Sequence, residues 1–250
     1  MSFSDFHVHT TFSDGQNSPE EMVLAAIRKG MPAIGFSDHS YTSFDTSYCI
    51  QRKRLKVYWD TIATLKEKYK EKIKIYCGIE QDLFADHPAD EYDYAIGSVH
   101  YVKSGEKWIC VDDSAEGQKE AVEQCFGGDF YRFAEAYYEN VVALAERTDV
   151  QIVGHFDLIT KFNEGGKLFD EADPRYVKAW QSAADKLLEK KLPFEINTGV
   201  ISRGYRSVPY PAMPIIDYIR ARGGSFVLSS DCHSVQSLCY EFEKWETLLK

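Results

Sequence analysis

The sequence predicts an α/β protein built on a parallel sheet that closes toward a barrel. Three observations carry this. Short apolar runs alternate with longer amphipathic ones through most of the 250 residues. Several short runs are apolar on both faces, as parallel strands must be when both sides are covered. Seven such runs fit into one chain of this length, which favours closure over an open sheet.

The runs come in order. SDFHVH, residues 4–9, opens the chain as a strand. A helix follows in SPEEMVLAAIRKG, with Ser18 as N-cap, Pro19 at the first helical position, Glu21 closing a capping box and Gly30 as the stop. AIGFSDH is the second strand. Residues 53–71 read as a charged helix with Leu55, Tyr58, Trp59, Ile62 and Leu65 on one face. IKIYCGIEQD and YAIGSVHY are the next two strands. Residues 103–128 carry no clear periodicity and read as a long loop with room for a short helix. FYRFAEAYYENVVALAER is helical, QIVGHFD a strand, and DPRYVKAWQSAADKLLEKK a helix started by Asp173 and Pro174. PFEINTG, the helix PAMPIIDYIRARGG, the strand SFVLSSDCH and a helix near residues 234–249 complete the series. With no repeat and no Gly/Ser linker, residues 1–250 read as a single domain.

Composition narrows the function. With 44% hydrophobic and 27% charged residues, the chain is ordinary globular material. A formal net charge of −10 excludes a nucleic-acid footprint, so an anionic ligand would need local cations or bound metal. The opening MSFSDFHVHT has neither the basic nor the apolar region of a secretion signal, and no apolar run is long enough to span a membrane. The six cysteines form no CxxC pair and are irregularly spaced, as expected of free thiols in a cytoplasmic protein.

Of the seven histidines, six fall at the C-terminal ends of expected strands: His7 and His9, His39, His100, His155 and His233. Only His87 lies elsewhere. His7 and His9, two apart on a strand, share one face. Glu80 and Asp231 end strands in the same way. A lone histidine after a strand is more often a cap or loop residue than a ligand, and Asp14 in SDG reads first as a turn residue. The joint placement is what points to metal: C-terminal strand ends form the functional face of parallel α/β folds, and buried carboxylates want a partner or an ion. Imidazole and carboxylate without thiolate suit zinc, iron or manganese, and so many ligands imply two or three divalent ions. Cys232, between Asp231 and His233, should point away from both.

HVHTTFSDG, SDH, GIE, SVH, GHFD and SSDCH together resemble the ordered motifs of the PHP (polymerase and histidinol phosphatase) superfamily, from residue 5 to residue 233. Within it, GHFDLITKF and EINTGVISRGYR are most similar to histidinol-phosphate phosphatases. The resemblance implies a distorted, TIM-barrel-like (β/α)7 barrel with a trinuclear metal site at the C-terminal strand ends. It implies that His7, His9, Glu80 and Asp231 hold one ion, that Glu80 bridges to a second held by His100 and His155, and that Asp14, His39 and His233 hold a third. Glu80, His100, Asp231 and His233 are then the expected catalytic group. Lys161, Arg203 and Arg206 are the expected substrate phosphate binders, Arg by its fork and Lys as a point charge.

The implied reaction is hydrolysis of L-histidinol phosphate, a step of histidine biosynthesis, by a hydroxide shared between ions. No GxSxG or Cys-His signature suggests a covalent intermediate. The expected partner is this small phosphate monoester, with no nucleic acid or membrane. Two alternatives stand beside it. One is a phosphoesterase of the same superfamily acting on another ester, such as a nucleotide, its pocket remodelled by residues 41–50 and 103–128. The other is a non-catalytic metal-binding module.

Overall fold

The structure, a computed structural model, describes residues 3–249. Helix α1 (Pro19–Arg28) starts with the expected capping box, Ser18 and Glu21 each bonding the other's backbone N–H. Strand β1 (Ala33–Phe36), a single 3-10 turn and helix α2 (Leu55–Tyr69) lead into β2 (Lys74–Asp82), the longest strand. Next come β3 (Tyr94–Ser98), a hairpin of β4 (Tyr101–Ser104) and β5 (Lys107–Cys110), then helices α3 (Ala115–Phe126) and α4 (Phe130–Ala143). The chain continues as β6 (Ile152–Val153), α5 (Pro174–Glu189), β7 (Phe194–Asn197), α6 (Gly199–Ser202), α7 (Met213–Ala221), β8 (Phe226–Ser229) and α8 (Phe242–Trp245).

Six strands form one parallel sheet in the order β1-β2-β3-β6-β7-β8. The opening segment joins its two edges. Asp5 bridges to Ile34 in β1, and Val8 bridges to Cys232 beyond β8, both parallel. Backbone bonds from Cys232 N–H to the His7 carbonyl (3.1 Å) and from His9 N–H to the Cys232 carbonyl (2.9 Å) complete the ring. The result is the distorted seven-stave barrel. Its first stave is no ladder strand, because it meets each neighbour at a single bridge.

The apolar packing falls into two large groups. One gathers α1, α2 and the first staves around Met22, Phe36, Tyr58 and Ile79. The other gathers α4, α5 and the later staves around Phe133, Tyr138, Phe156 and Trp180. Cys232 is fully buried in the first group, turned from the polar cluster as strand alternation requires. All six cysteines are unpaired.

Two expectations need correction. Residues 103–128 are no loop: they hold the hairpin, which turns at Gly105 (φ +61°), and then α3. The helix escaped notice because its buried stripe is one residue wide and begins with a polar side chain, Gln118, followed by Val122 and Phe126. The Gln118 amide donates to the carbonyls of Val111 (2.5 Å) and Ile159 (3.1 Å), so a buried glutamine does the work of an apolar residue. Of residues 234–249 only the second half is helical, the short α8 running into a 3-10 turn at Glu246–Leu249, because Cys239 and Glu241 take positive φ (+54° and +51°) and keep the first half in turns. Among the described residues, no helix is long and apolar enough to cross a membrane.

Candidate metal centre

The barrel's parallel sense puts the polar strand ends at one mouth. His7 and His9 come from the first stave, His39 follows β1, Glu80 lies in β2, His100 follows β3, His155 follows β6, and Asp231 and His233 follow β8. Five imidazoles converge on the Glu80 carboxylate, which is 1% exposed. Glu80 Oε1 lies 2.8 Å from His155 Nε2 and 3.3 Å from His100 Nε2. Glu80 Oε2 lies 2.9 Å from His39 Nδ1, 3.2 Å from His7 Nε2 and 3.4 Å from His9 Nε2. Asp231 Oδ1 closes on the same side, 3.3 Å from His9 Nε2. Asp14, half-exposed at the rim, lies 3.1 Å from His233 Nε2 and 3.6 Å from His39 Nε2. All nine residues expected as ligands are thus in one cluster.

Three subsets are close enough for a common ion: His7, His9 and Glu80; His39, Glu80 and His100; and His9, Asp14, His39 and His233. The grouping differs in detail from the expected one. His39 shares a subset with Glu80 and His100 through Glu80 Oε2, while His155 and His100 both lie on Oε1.

Two features of the backbone let these groups meet. Asp231 has φ +47°, a left-handed conformation that costs a non-glycine residue about 1–3 kcal/mol and is typically retained at functional sites. Gly199 faces it, and a Cβ there would lie 2.8 Å from Asp231 Cβ and 2.9 Å from Arg203 Nη2. Only glycine lets Arg203 reach across to Asp231.

The protein alone balances this cluster by protonation. Burial opposes the charge of Glu80, but His39, His7 and His100 outweigh it and hold its carboxyl well below the usual range. His39 is lifted to about 10, since Glu80 and Asp14 overcome its burial. His9 is pushed down to about 3 by burial, with His233 and His39 adding to it, so its imidazole is neutral, the form that binds metal. Several buried atoms have no hydrogen-bond partner: His7 Nε2, both nitrogens of His9, Glu80 Oε2 and His155 Nδ1. Buried polar atoms are nearly always satisfied. The unpartnered Nε2 atoms of His7 and His9 beside the anionic Glu80 carboxylate, with no thiolate among them, fit divalent cations of the zinc, iron or manganese kind.

A further set of residues holds this ring, and the sequence reading passed over it. Glu195 Oε1 accepts from His7 Nδ1 at 2.6 Å, which aims Nε2 at Glu80, and Glu195 Oε2 accepts the His155 backbone N–H at 3.0 Å. Asp82 Oδ2 accepts from His100 Nδ1 at 3.0 Å. Carboxylates that fix the far nitrogen of a ligating imidazole set its tautomer and direction. The signal was present in both cases: Glu195 is a charge within the apolar strand PFEIN, and Asp82 lies two residues after Glu80 on the same strand face.

The expected phosphate binders separate. Lys161 and Arg203 both line a cavity of about 220 Å³ together with Glu80, His155 and Asp231. Lys161 Nζ is held by the Asp112 carbonyl (2.7 Å) and carboxylate (3.0 Å). Arg203 donates to the Asp231 carbonyl (2.9 Å) and Oδ2 (2.8 Å). Arg206 does not line this cavity. It is 9% exposed and turned to the Thr160 hydroxyl, Glu171 (3.3 Å) and Glu164 (3.7 Å), bracing the loop that carries Lys161.

The model for the PHP domain matches residues 5–199. A Deinococcus radiodurans protein named "Probable histidinol-phosphatase" is 29% identical over 95% of this chain and 89% of its own length. Two crystal structures share the fold at 22% identity. The hisK protein of Listeria monocytogenes matches with a TM-score of 0.85 over 97% of this chain and all of its own. The histidinol phosphate phosphatase of Lactococcus lactis, solved with zinc, L-histidinol and phosphate, matches with a TM-score of 0.73 over 98% of this chain and 92% of its own. Matched over most of its length, and closed by a barrel whose strand ends pool six histidines with Glu80 and Asp231, this chain belongs to the PHP domain family.

Proposed function

We propose that this chain is a metal-dependent phosphomonoesterase that hydrolyses L-histidinol phosphate. The observation that carries the reading is one cavity lined by Glu80, Asp231, four of the clustered histidines, Lys161 and Arg203, with the unpartnered Nε2 atoms of His7 and His9 lying 3.2 and 3.4 Å from Glu80. Such a site binds cations and a phosphate dianion together. The Deinococcus relative's name and the Lactococcus enzyme's ligands support the choice of ester. The reading assigns His7, His9, Glu80 and Asp231 to one ion, Glu80, His100 and His155 to a second, and Asp14, His39 and His233 to a third. It treats residues 1–250 as one catalytic unit, acting on a small ester in the cytoplasm, where six unpaired thiols are at home.

When bound, the ions supply Lewis acidity and make water a better nucleophile at neutral pH. The chain's own residues do the rest. Glu80 places the imidazoles at fixed separations. Glu195 and Asp82 hold the protons of His7 Nδ1 and His100 Nδ1, keeping each Nε2 directed inward. Lys161 and Arg203 are pinned by Asp112 and Asp231, so both present cationic groups to phosphate oxygens without reorganising. We assign Arg206 to loop support.

The test is turnover by protein reconstituted with zinc, iron or manganese against a panel of phosphate monoesters. L-Histidinol phosphate should give the highest kcat/KM. Comparable or faster turnover of nucleotide 3′-phosphates would overturn the choice of substrate, and at most trace metal in the purified protein would return it to a non-catalytic module. Arg203→Ala should raise KM and leave metal content intact.

A further inference from the structure

A second cavity of about 280 Å³ opens beside the first and shares Asp14, His39, His100 and Asp112 with it. The two differ in charge. Lys161 and Arg203 both line the first, whereas no lysine or arginine lines the second. The second chamber instead adds Asp45, Asp113, Tyr48 and Tyr101. We propose, resting on the phosphomonoesterase reading above, that this chamber receives the alcohol half of the ester and selects alcohols that carry an ammonium group.

The chamber's size and walls argue for this. Its volume is just under the range of about 300–1,000 Å³ typical of drug-sized ligand pockets, which suits a small amino alcohol better than a nucleoside. Asp45 is anionic: burial opposes its charge, but donors from Ser47 and the Tyr101 hydroxyl (2.8 Å) outweigh it. Asp113 is exposed, and its carboxylate meets only the Ser114 hydroxyl at 3.4 Å, so it is free to take a cationic partner. Tyr48 stands edge-on to His39 at 4.8 Å and leans toward Tyr101 at 6.2 Å, offering ring surface to a cation between the carboxylates.

The wall is also preformed. It is made of residues 41–50 and the β4–β5 hairpin, fastened by Phe44 stacked on Trp108 (4.0 Å, 10°). Phe84 closes on Trp108 from the side (4.8 Å), and Phe44 meets Tyr101 (4.9 Å). An ester seated with its phosphate at Lys161 and Arg203 would extend its alcohol past His100 into this chamber. There a second anion would be repelled and an ammonium held.

The experiment compares L-histidinol with the same alcohol lacking its amino group, both as free alcohols and as phosphate esters. Calorimetry on the metal-loaded protein reads alcohol binding, and kcat/KM reads the esters. The wild type should prefer the amine by about tenfold or more in both, the size expected of a charged hydrogen bond. Asp113→Asn and Asp45→Asn should each narrow that preference to a few-fold. Asp113 is on the surface, so its variant keeps the test sound if the Asp45 variant fails to fold. Equal binding of the two alcohols by the wild type would overturn the proposal, as would an undiminished preference in Asp113→Asn. Preferential binding of the amine with turnover of neither ester would support the chamber's selectivity and break the phosphomonoesterase reading instead.

Discussion

The first stave and β2 both deliver inward-facing ligand candidates, yet they are held in place by opposite means. β2 is a nine-residue ladder strand, paired to β1 on one side and β3 on the other, and its register alone places Glu80 and Asp82 at the mouth. The first stave has single bridges only, and side chains peg it. Asp5 accepts the N–H groups of His7 (3.3 Å), Ser230 (3.2 Å) and Cys239 (3.0 Å). Ser37 Oγ accepts the Val8 N–H at 2.9 Å. Asp38 gathers the Thr10 N–H (2.8 Å), the Ser13 N–H (3.1 Å) and the hydroxyls of both residues. The lesson is that precise ligand placement needs satisfied backbone groups but not a regular strand. Buried carboxylates can stand in for the missing ladder, provided each receives several donors.

The comparison can be broken or sharpened by mutation. The largest effect should come from β2: Glu80→Ala removes the carboxylate on which five imidazoles converge, so metal analysis should find ions lost and turnover nearly abolished. Retained metal and activity would show that the ladder strand does not organise the centre. Next, Glu195→Gln keeps the shape but weakens its hold on His7, which should cost about 10–100-fold in metal affinity or activity. Chelator titration would read it, and an unchanged titration would deny Glu195 its role. Asp38→Ala leaves several buried donors without an acceptor and should destabilise the fold by about 2–3 kcal/mol, read by denaturant unfolding. Ser37→Ala orphans one N–H and should cost about 1 kcal/mol in the same measurement. If neither change lowers stability, side-chain pegging is not what holds the first stave.

Much of the barrel and nearly all of the candidate centre could be read from the sequence, for a physical reason. Parallel strands are apolar along their length, so a histidine or carboxylate at a strand end stands out, and the shared direction of the strands guarantees that such residues meet. His7 with His9, and Asp231 with His233, needed only strand periodicity. Lys161 and Arg203 needed the family resemblance, because a single cation in a loop carries no pattern. The pairing of Lys161 with Asp112 crosses 49 residues and depends on where the hairpin and α3 fold back, which no local pattern encodes. The same hairpin was missed because four-residue strands around Gly105 give too short an alternation. Glu195 and Asp82 were legible as charges in apolar strands, Glu195 inside β7 and Asp82 at the very end of β2, but each bonds the far nitrogen of an imidazole contributed by another strand, a pairing no local pattern encodes.

The β4–β5 hairpin forms its own two-stranded sheet and pairs with no barrel strand. The hairpin is therefore tied to the barrel by side chains rather than by a ladder: Val102 and Ile109 pack into the core, and Asp112 just beyond it holds Lys161. Grafting a different hairpin that keeps Val102, Ile109 and Asp112, with a matching partner for Phe44, would be a direct route to a new ester preference on an unchanged barrel. Relatives that differ in substrate should differ there first.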